Sequence, residues 1–227
     1  MTLRLTIVVL ALVLFGLVAA TIIGRGAPTR PGPDGVVTAG VARVEPGVRV
    51  LGKVSPFTLT DQSEHLYGTD QLQGKLWIAS FIFTRCPSTC PTQTANMTRL
   101  QNRLRRNSAW GSIRLVSFSV DPDHDTPEIL KLYAQKAEAD TDHWRFLTGT
   151  REQIWQLSKT GFKLPVDENV PEAGVPIVHS ARLVLVDRQQ RIRGYYDGLT
   201  PEGLDQLEGD LKTVLAEPKT DGPTRTP

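Results

Sequence analysis

The sequence predicts an α/β domain: one mixed β-sheet with helices on both faces. Three observations carry this reading. Residues 76–83 form an almost unbroken apolar run, with Trp77, Ile78, Phe81, Ile82 and Phe83, which is the pattern of a central strand covered on both faces. Near the carboxyl end Leu204, Leu207, Leu211 and Val214 recur at helical spacing. Between them, segments of strand and helix type alternate in the order β-α-β-α-β-β-α, which folds into a single mixed sheet.

Taken in chain order, residues 57–60 and 65–67 read as a short hairpin around Asp61, Gln62 and Ser63. The strand at 76–83 follows. A helix then runs from about Pro91 to Arg106. Ser88 or Thr89 can cap it, Pro91 suits its first turn, and Met97, Leu100 and Leu104 form its buried stripe. Residues 113–120 are the next strand. Asp125 and Pro127 open a helix whose inward residues are Ile129, Leu132, Tyr133 and Ala137. Residues 151–160 form a third helix, ended by Gly161. Residues 183–186 and 192–196 make a closing hairpin, and the last helix follows. There is no internal repeat.

The flanks differ in kind from this domain. Residues 1–25 are a targeting segment: Arg4 precedes a run from Leu5 to Ile23 that carries no charge. At 1.5 Å per residue its 19 residues just cross a hydrocarbon core of roughly 30 Å. The run exceeds the roughly 7–15 residues of a typical signal-peptide core, so it reads as an uncleaved amino-terminal transmembrane helix. A cleaved signal peptide is the alternative, with Val18 and Ala20 as small residues before a cleavage point. No Cys follows the run, which excludes lipid attachment there, and either way the rest of the chain is exported. Residues 26–48 are a linker punctuated by Gly and Pro. The domain occupies 49–216, and 217–227 is a flexible, proline-containing tail.

Charge excludes one class of partner. Lys and Arg number 26 against 24 Asp and Glu, so no net field draws the chain to nucleic acid. The cysteine count points the other way, toward chemistry. There are two, Cys86 and Cys90, in the segment Cys-Pro-Ser-Thr-Cys-Pro. A disulfide across so short a loop constrains the unfolded chain very little, so stapling does not account for the pair. The motif follows the central strand directly, at the carboxyl ends of the strands, where α/β sheets place their sites. At Cys-x-x-x-Cys spacing on a helix start both side chains face one way. Two thiolates there can share a metal ion or close a disulfide. The helix dipole and the neighbouring Arg85 both favour thiolate.

Two soft thiolates are an incomplete shell. Copper(I) accepts two or three soft ligands, whereas structural zinc takes four. Four histidines are available to complete a site: His65, His124, His143 and His179. His179 stands out, in a loop just before the strand at 183–186, which in a thioredoxin-like fold faces the dithiol. His65 falls in the first hairpin and His143 beside Trp144, so both read as structural. His124 lies between two aspartates and reads as solvated. Met97 has soft-ligand chemistry, but its spacing with Leu100 and Leu104 makes it a core residue.

At this point the sequence resembles the Sco/SenC family. The signature is Phe81-Ile-Phe-Thr-Arg-Cys-Pro-Ser-Thr-Cys-Pro91. Three further segments follow in the family's order: Ser119 to Pro127, with its Asp-Pro and Asp-Thr-Pro steps; Trp144 to Gly149; and Val178-His-Ser180. The resemblance covers roughly residues 50–215. It implies a thioredoxin-like domain tethered to the inner membrane by one helix, with the soluble part on the periplasmic side. It implies copper, as Cu(I) and Cu(II), held by Cys86, Cys90 and His179, with Cys86 and Cys90 also a redox-active disulfide pair. It further implies help in building the binuclear copper site of cytochrome c oxidase, with that enzyme's copper-bearing subunit and an upstream copper donor as partners. Asp121 and Arg85 are candidates to lie beside the ligands. Many relatives carry Asp where this chain has Ser88 and Val178, and His where it has Arg85.

Two functions therefore compete: a metallochaperone without catalytic residues, and a thiol-disulfide oxidoreductase that keeps a client's copper-site cysteines reduced. A pure reductase needs only the two thiols, so the placement of His179 favours copper. The sequence argues against a peroxiredoxin, whose pattern needs Pro and Thr where this chain has Ala79 and Phe83.

Overall fold

The computed structural model describes residues 47–168 and 177–218. The expected anchor, nearly all of the linker and the end of the tail lie outside the described residues. Among the described residues no helix is long and apolar enough to cross a membrane.

The strands are β1 (Gly52–Lys53), β2 (Thr58–Asp61), β3 (Leu66–Gly68), β4 (Leu76–Ile82), β5 (Ile113–Ser119), β6 (Trp144–Thr148), β7 (Val166–Glu168), β8 (Ile177–His179), β9 (Arg182–Val186) and β10 (Arg191–Asp197). The helices are α1 (Thr69–Leu72), α2 (Thr89–Leu104), α3 (Pro127–Lys136), α4 (Arg151–Gln156, running on as a π turn over Leu157–Gly161) and α5 (Pro201–Ala216). Eight strands form one mixed sheet in the order β1-β10-β9-β4-β5-β6-β2-β3. At its centre β4, β5 and β6 run parallel; β9 lies antiparallel on the other side of β4. β7 and β8 pair only with each other.

Every residue of β4 is buried, as its apolar run requires. Its aromatics anchor the core: Phe81 stacks on Phe118 at 5.1 Å, and Trp77 meets Phe162 edge-on at 5.8 Å. The stripe on α2 is as expected, with Met97, Leu100 and Leu104 all buried. So is that on α5, where Leu204, Leu207, Leu211 and Val214 are buried and Thr200 caps the helix by accepting from Gly203 N.

Several expectations need correction. α2 begins at Thr89, two residues before Pro91, and Ser88 makes no side-chain cap. Thr126, not Asp125, caps α3, and its buried residues are Leu130 and Ala134; Leu132 is exposed. A central strand was absent from the expected order: β6, whose Trp144, Phe146 and Leu147 are fully buried. Glu217, assigned to the tail, bonds Arg193, which also holds the Val48 carbonyl.

Candidate metal centre

The site forms where β4 gives way to α2. Cys86 N donates to the Phe83 carbonyl, closing a turn at the strand's end. Cys90 then falls in the first turn of α2, followed by Pro91, whose missing N–H costs nothing among the unpaired donors of a helix start. Both cysteines are free thiols, and Cys90 is the more deeply buried, at 1 % exposure against 7 % for Cys86.

His179 arrives from the other side of the sheet centre. Because β9 is antiparallel to β4, with Ala79 opposite Val184, the start of β9 lies beside the end of β4. His179, on β8, immediately precedes that start. Glycine is required nearby: Gly198 N bonds the Ala181 carbonyl, and a Cβ at 198 would sit 2.4 Å from that oxygen.

The imidazole is oriented at both nitrogens. Nδ1 lies 3.1 Å from the Ser180 carbonyl, which only accepts, so Nδ1 carries the proton and donates. Burial pushes the pKa of His179 below the ordinary histidine value, partly offset by that carbonyl, so the ring is neutral and Nε2 is a free acceptor. Nε2 lies 3.2 Å from Cys90 Sγ and accepts a hydrogen bond from the thiol. The Phe83 ring meets the imidazole edge-on at 5.6 Å.

The two thiols are tuned in opposite directions. Burial pushes Cys90 far above the usual thiol range. Burial also opposes ionisation of Cys86, but the backbone N–H groups of Cys90 and Ser88, and both their side chains, outweigh it and hold Cys86 below its ordinary value. The expected help from Arg85 is directed elsewhere. Its Nε donates to Asp121 Oδ2 at 2.7 Å, so Arg85 and Asp121 satisfy each other beside the cysteine loop.

A stronger support was missed in the sequence. Asp125, fully buried, accepts from Thr84 N at 3.0 Å, Thr84 Oγ1 at 2.5 Å, Ser119 Oγ at 2.6 Å and His124 Nδ1 at 2.9 Å. It fixes the residue two before Cys86. The signal was hidden because Asp-Thr-Pro reads as a helix cap, and Thr126 does the capping. His124 is thus hydrogen-bonded rather than simply solvated. His143 stacks on Trp110 at 4.4 Å, and His65 is exposed in its hairpin.

Only His179 joins the thiols. One ligand atom from each of Cys86, Cys90 and His179 lies within 4.8 Å of the other two, the one such group of three among the described residues. An ion bonded at roughly 2.0–2.3 Å to sulfur and nitrogen needs donors about 4 Å apart, so small rotamer changes suffice. Two soft sulfurs and one imidazole suit copper in either oxidation state.

Residues 51–216 match the SCO1/SenC family model. The chain belongs to the SCO1/SenC family. Its relatives include a SCO1 protein homolog of Bacillus subtilis, 34% identical over 163 residues, covering 71% of this chain and 82% of the relative. The solved structure of BsSco, a member of the Sco family of cytochrome c oxidase assembly proteins in which a disulfide switch was identified, superposes with a TM-score of 0.66. Identity is 32%, and the match covers 76% of this chain and 99% of that one. Bradyrhizobium japonicum ScoI with copper bound gives a TM-score of 0.58 at 25% identity, covering 69% and 98%. The fold is thus the thioredoxin-like α/β fold of Sco proteins, with its mixed sheet.

Proposed function

We propose that the chain is a copper metallochaperone that holds copper through Cys86 Sγ, Cys90 Sγ and His179 Nε2 and delivers it during assembly of the binuclear copper site of cytochrome c oxidase. The observation that carries this reading is the convergence of those three donors, with the imidazole already turned so that Nε2 faces Cys90. The two sulfurs would supply the affinity for copper as a soft metal, and the chain's own residues set the state of each donor. Cys86 offers a thiolate, the Ser180 carbonyl keeps Nδ1 protonated, and the ion replaces the proton that Cys90 and His179 share. The family, and the copper-bound ScoI structure, support copper as the metal. The oxidase's copper-bearing subunit is the receiving partner in this reading, which the place of BsSco among cytochrome c oxidase assembly proteins supports. An upstream protein supplies the ion. The uncharged run at residues 5–23 would anchor the chain in the inner membrane, with the domain on the periplasmic side.

One observation favours a second role on the same atoms. Cys86 is the more accessible thiol and has the lowered pKa, while Cys90 is buried and kept protonated. That is the asymmetry of a thiol-disulfide oxidoreductase. The Cys86 thiolate attacks a client disulfide, and Cys90 then displaces the client, so two electrons leave the dithiol and Cys86–Cys90 becomes the disulfide.

Copper titration of the reduced and oxidised protein tests the first reading. The dithiol form should take up one ion and the disulfide form none, because the bond consumes both sulfur ligands. Equal uptake by the two forms would exclude it.

A further inference from the structure

We propose that Arg151 is a positioning residue that holds the imidazole of His179 in register with the dithiol; this rests on reading Cys86, Cys90 and His179 as the copper ligands. Arg151 is the first residue of α4, and Thr150 caps that helix by accepting from Gln153 N at 3.2 Å, which fixes where the side chain starts. Its guanidinium forks. Nε and Nη2 both donate to Asp123 Oδ2, the former at 3.1 Å, and Nη1 donates to Glu168 Oε1 at 2.6 Å.

The two carboxylates belong to the two halves of the site. Asp123 lies in the turn whose Asp121 holds Arg85 and whose Asp125 holds Thr84, the two residues directly before Cys86. Glu168 ends β7, opposite Ile177 of β8, and the same ladder sets Val166 opposite His179. One side chain therefore ties the turn that braces the cysteines to the hairpin that carries the imidazole. Trp155 supports the link from beneath. Its ring lies 5.5 Å from the Arg151 guanidinium carbon, and its Nε1 donates to the Val120 carbonyl at the start of that turn.

The hairpin gains from such a tie. β7 and β8 are three residues each and pair with nothing in the main sheet; Val166 and Ile177 seat the ribbon on the core, while Asp167, Glu168 and Val178 face solvent, so packing holds only one of its faces. A planar fork that reaches two carboxylates at once supplies the orientation that so short a ladder lacks. Asp123 and Glu168 are 66% and 68% exposed, so the tie is weak in energy and sensitive to salt. Its effect falls on the geometry of one ligand rather than on the fold. Copper(II), which draws on the imidazole nitrogen, feels it most; copper(I) keeps both thiolates.

The test uses the reduced full-length chain with Cu(I) in chelator competition and with Cu(II) followed by absorption and electron paramagnetic resonance. Arg151→Gln and Glu168→Gln should each weaken Cu(II) binding by about three- to tenfold and alter its nitrogen hyperfine pattern. Cu(I) affinity and melting temperature should hold, Arg151→Lys should recover part of the Cu(II) affinity, and the double variant should be no weaker than the singles. Raising salt should weaken Cu(II) binding in the unaltered protein by a similar factor and do little further in Arg151→Gln. Unaltered Cu(II) affinity and spectra in Arg151→Gln and Glu168→Gln, where His179→Ala loses them, would overturn the tie and spare the ligand assignment. Equal loss of Cu(I), Cu(II) and melting temperature would make Arg151 a fold residue and also overturn it. Unaltered Cu(II) binding in His179→Ala would remove the ligand assignment and the tie together. Should Arg151→Gln fail to fold, the exposed Glu168 carries the same comparison.

Discussion

Cys86 and Cys90 sit where a fully buried strand passes into a 16-residue helix, and the loop before them is bound to the buried carboxylate of Asp125. His179 sits on a three-residue strand whose one ladder partner is another three-residue strand, tied outward through exposed carboxylates. Buried hydrogen bonds to a charged group are strong and little affected by salt; exposed ion pairs are weak and screened. The thiol half of the site is therefore held by buried, charge-assisted bonds, whereas the imidazole half is held by Val166 and Ile177 in the core and by an exposed ion pair at its edge. In the proposed carrier that difference would matter: two firmly held sulfurs would retain copper(I), and a more lightly held third ligand would serve copper(II) or handover.

Removing a sulfur is the most direct way to break the thiol half. Cys86→Ser and Cys90→Ser should each lower affinity for both copper states by more than about a thousandfold. Both should keep the reduced-state melting temperature nearly unchanged, because no bond joins the two sulfurs in the reduced protein and serine nearly matches cysteine in shape. A large fall in melting temperature would assign the pair a structural role.

Next comes the brace. Asp125→Ala removes one acceptor and orphans Thr84, Ser119 and His124 donors around a buried site, and should cost about 3 kcal/mol of stability by chemical denaturation. An unchanged denaturation midpoint would show that the thiol half does not depend on it.

His179→Ala probes the imidazole half alone. Copper(II) binding should weaken by about fiftyfold with its spectrum altered, copper(I) only a few-fold, and exchange with a small dithiol substrate hardly at all. Retention of both copper states with slowed exchange would instead make His179 a partner of the Cys86 thiolate, and the chain an oxidoreductase first.

The smallest effect is in pH. Cys90 holds its proton well above neutrality, so copper must displace it, and affinity should climb as pH rises, by up to about tenfold per unit for one proton released. His179, with its pKa lowered, remains neutral below the ordinary histidine value and should not be the group that limits binding near pH 6. Affinity measured from pH 6 to pH 8 that does not change would contradict the proton sharing between Cys90 and His179.

What the sequence displayed was whatever is periodic or chemically rare. The almost unbroken run of β4, the stripes of α2 and α5, and the closing hairpin stand where the sequence pattern put them. So does the Cys-x-x-x-Cys pair, beside the one histidine singled out. What it concealed has physical reasons. β7 and β8 are too short to show a period of two, and β6, with Arg145 among apolar neighbours, offers only five residues. Arg85 next to Cys86 suggested a charge on the thiol, but adjacency along the chain does not say which way a long side chain turns. Asp121, 36 residues away, takes it. Leu132 read as inward on α3, yet it is exposed; Tyr133 and Ala137 do pack against the core, and the fully buried positions on that face are Leu130 and Ala134.

The antiparallel seat of β9 against β4 has a consequence for how the protein is made. Cys90 and His179 are 89 residues apart, and nothing local brings them together. A growing chain carries its thiols before the imidazole is synthesised, and the trio closes only once β9 is seated against β4. Contacts of such sequence separation form late, because loop closure must precede them. The complete ligand set is therefore a mark of a finished domain: a half-folded chain can present sulfur to a passing ion, but not the third donor.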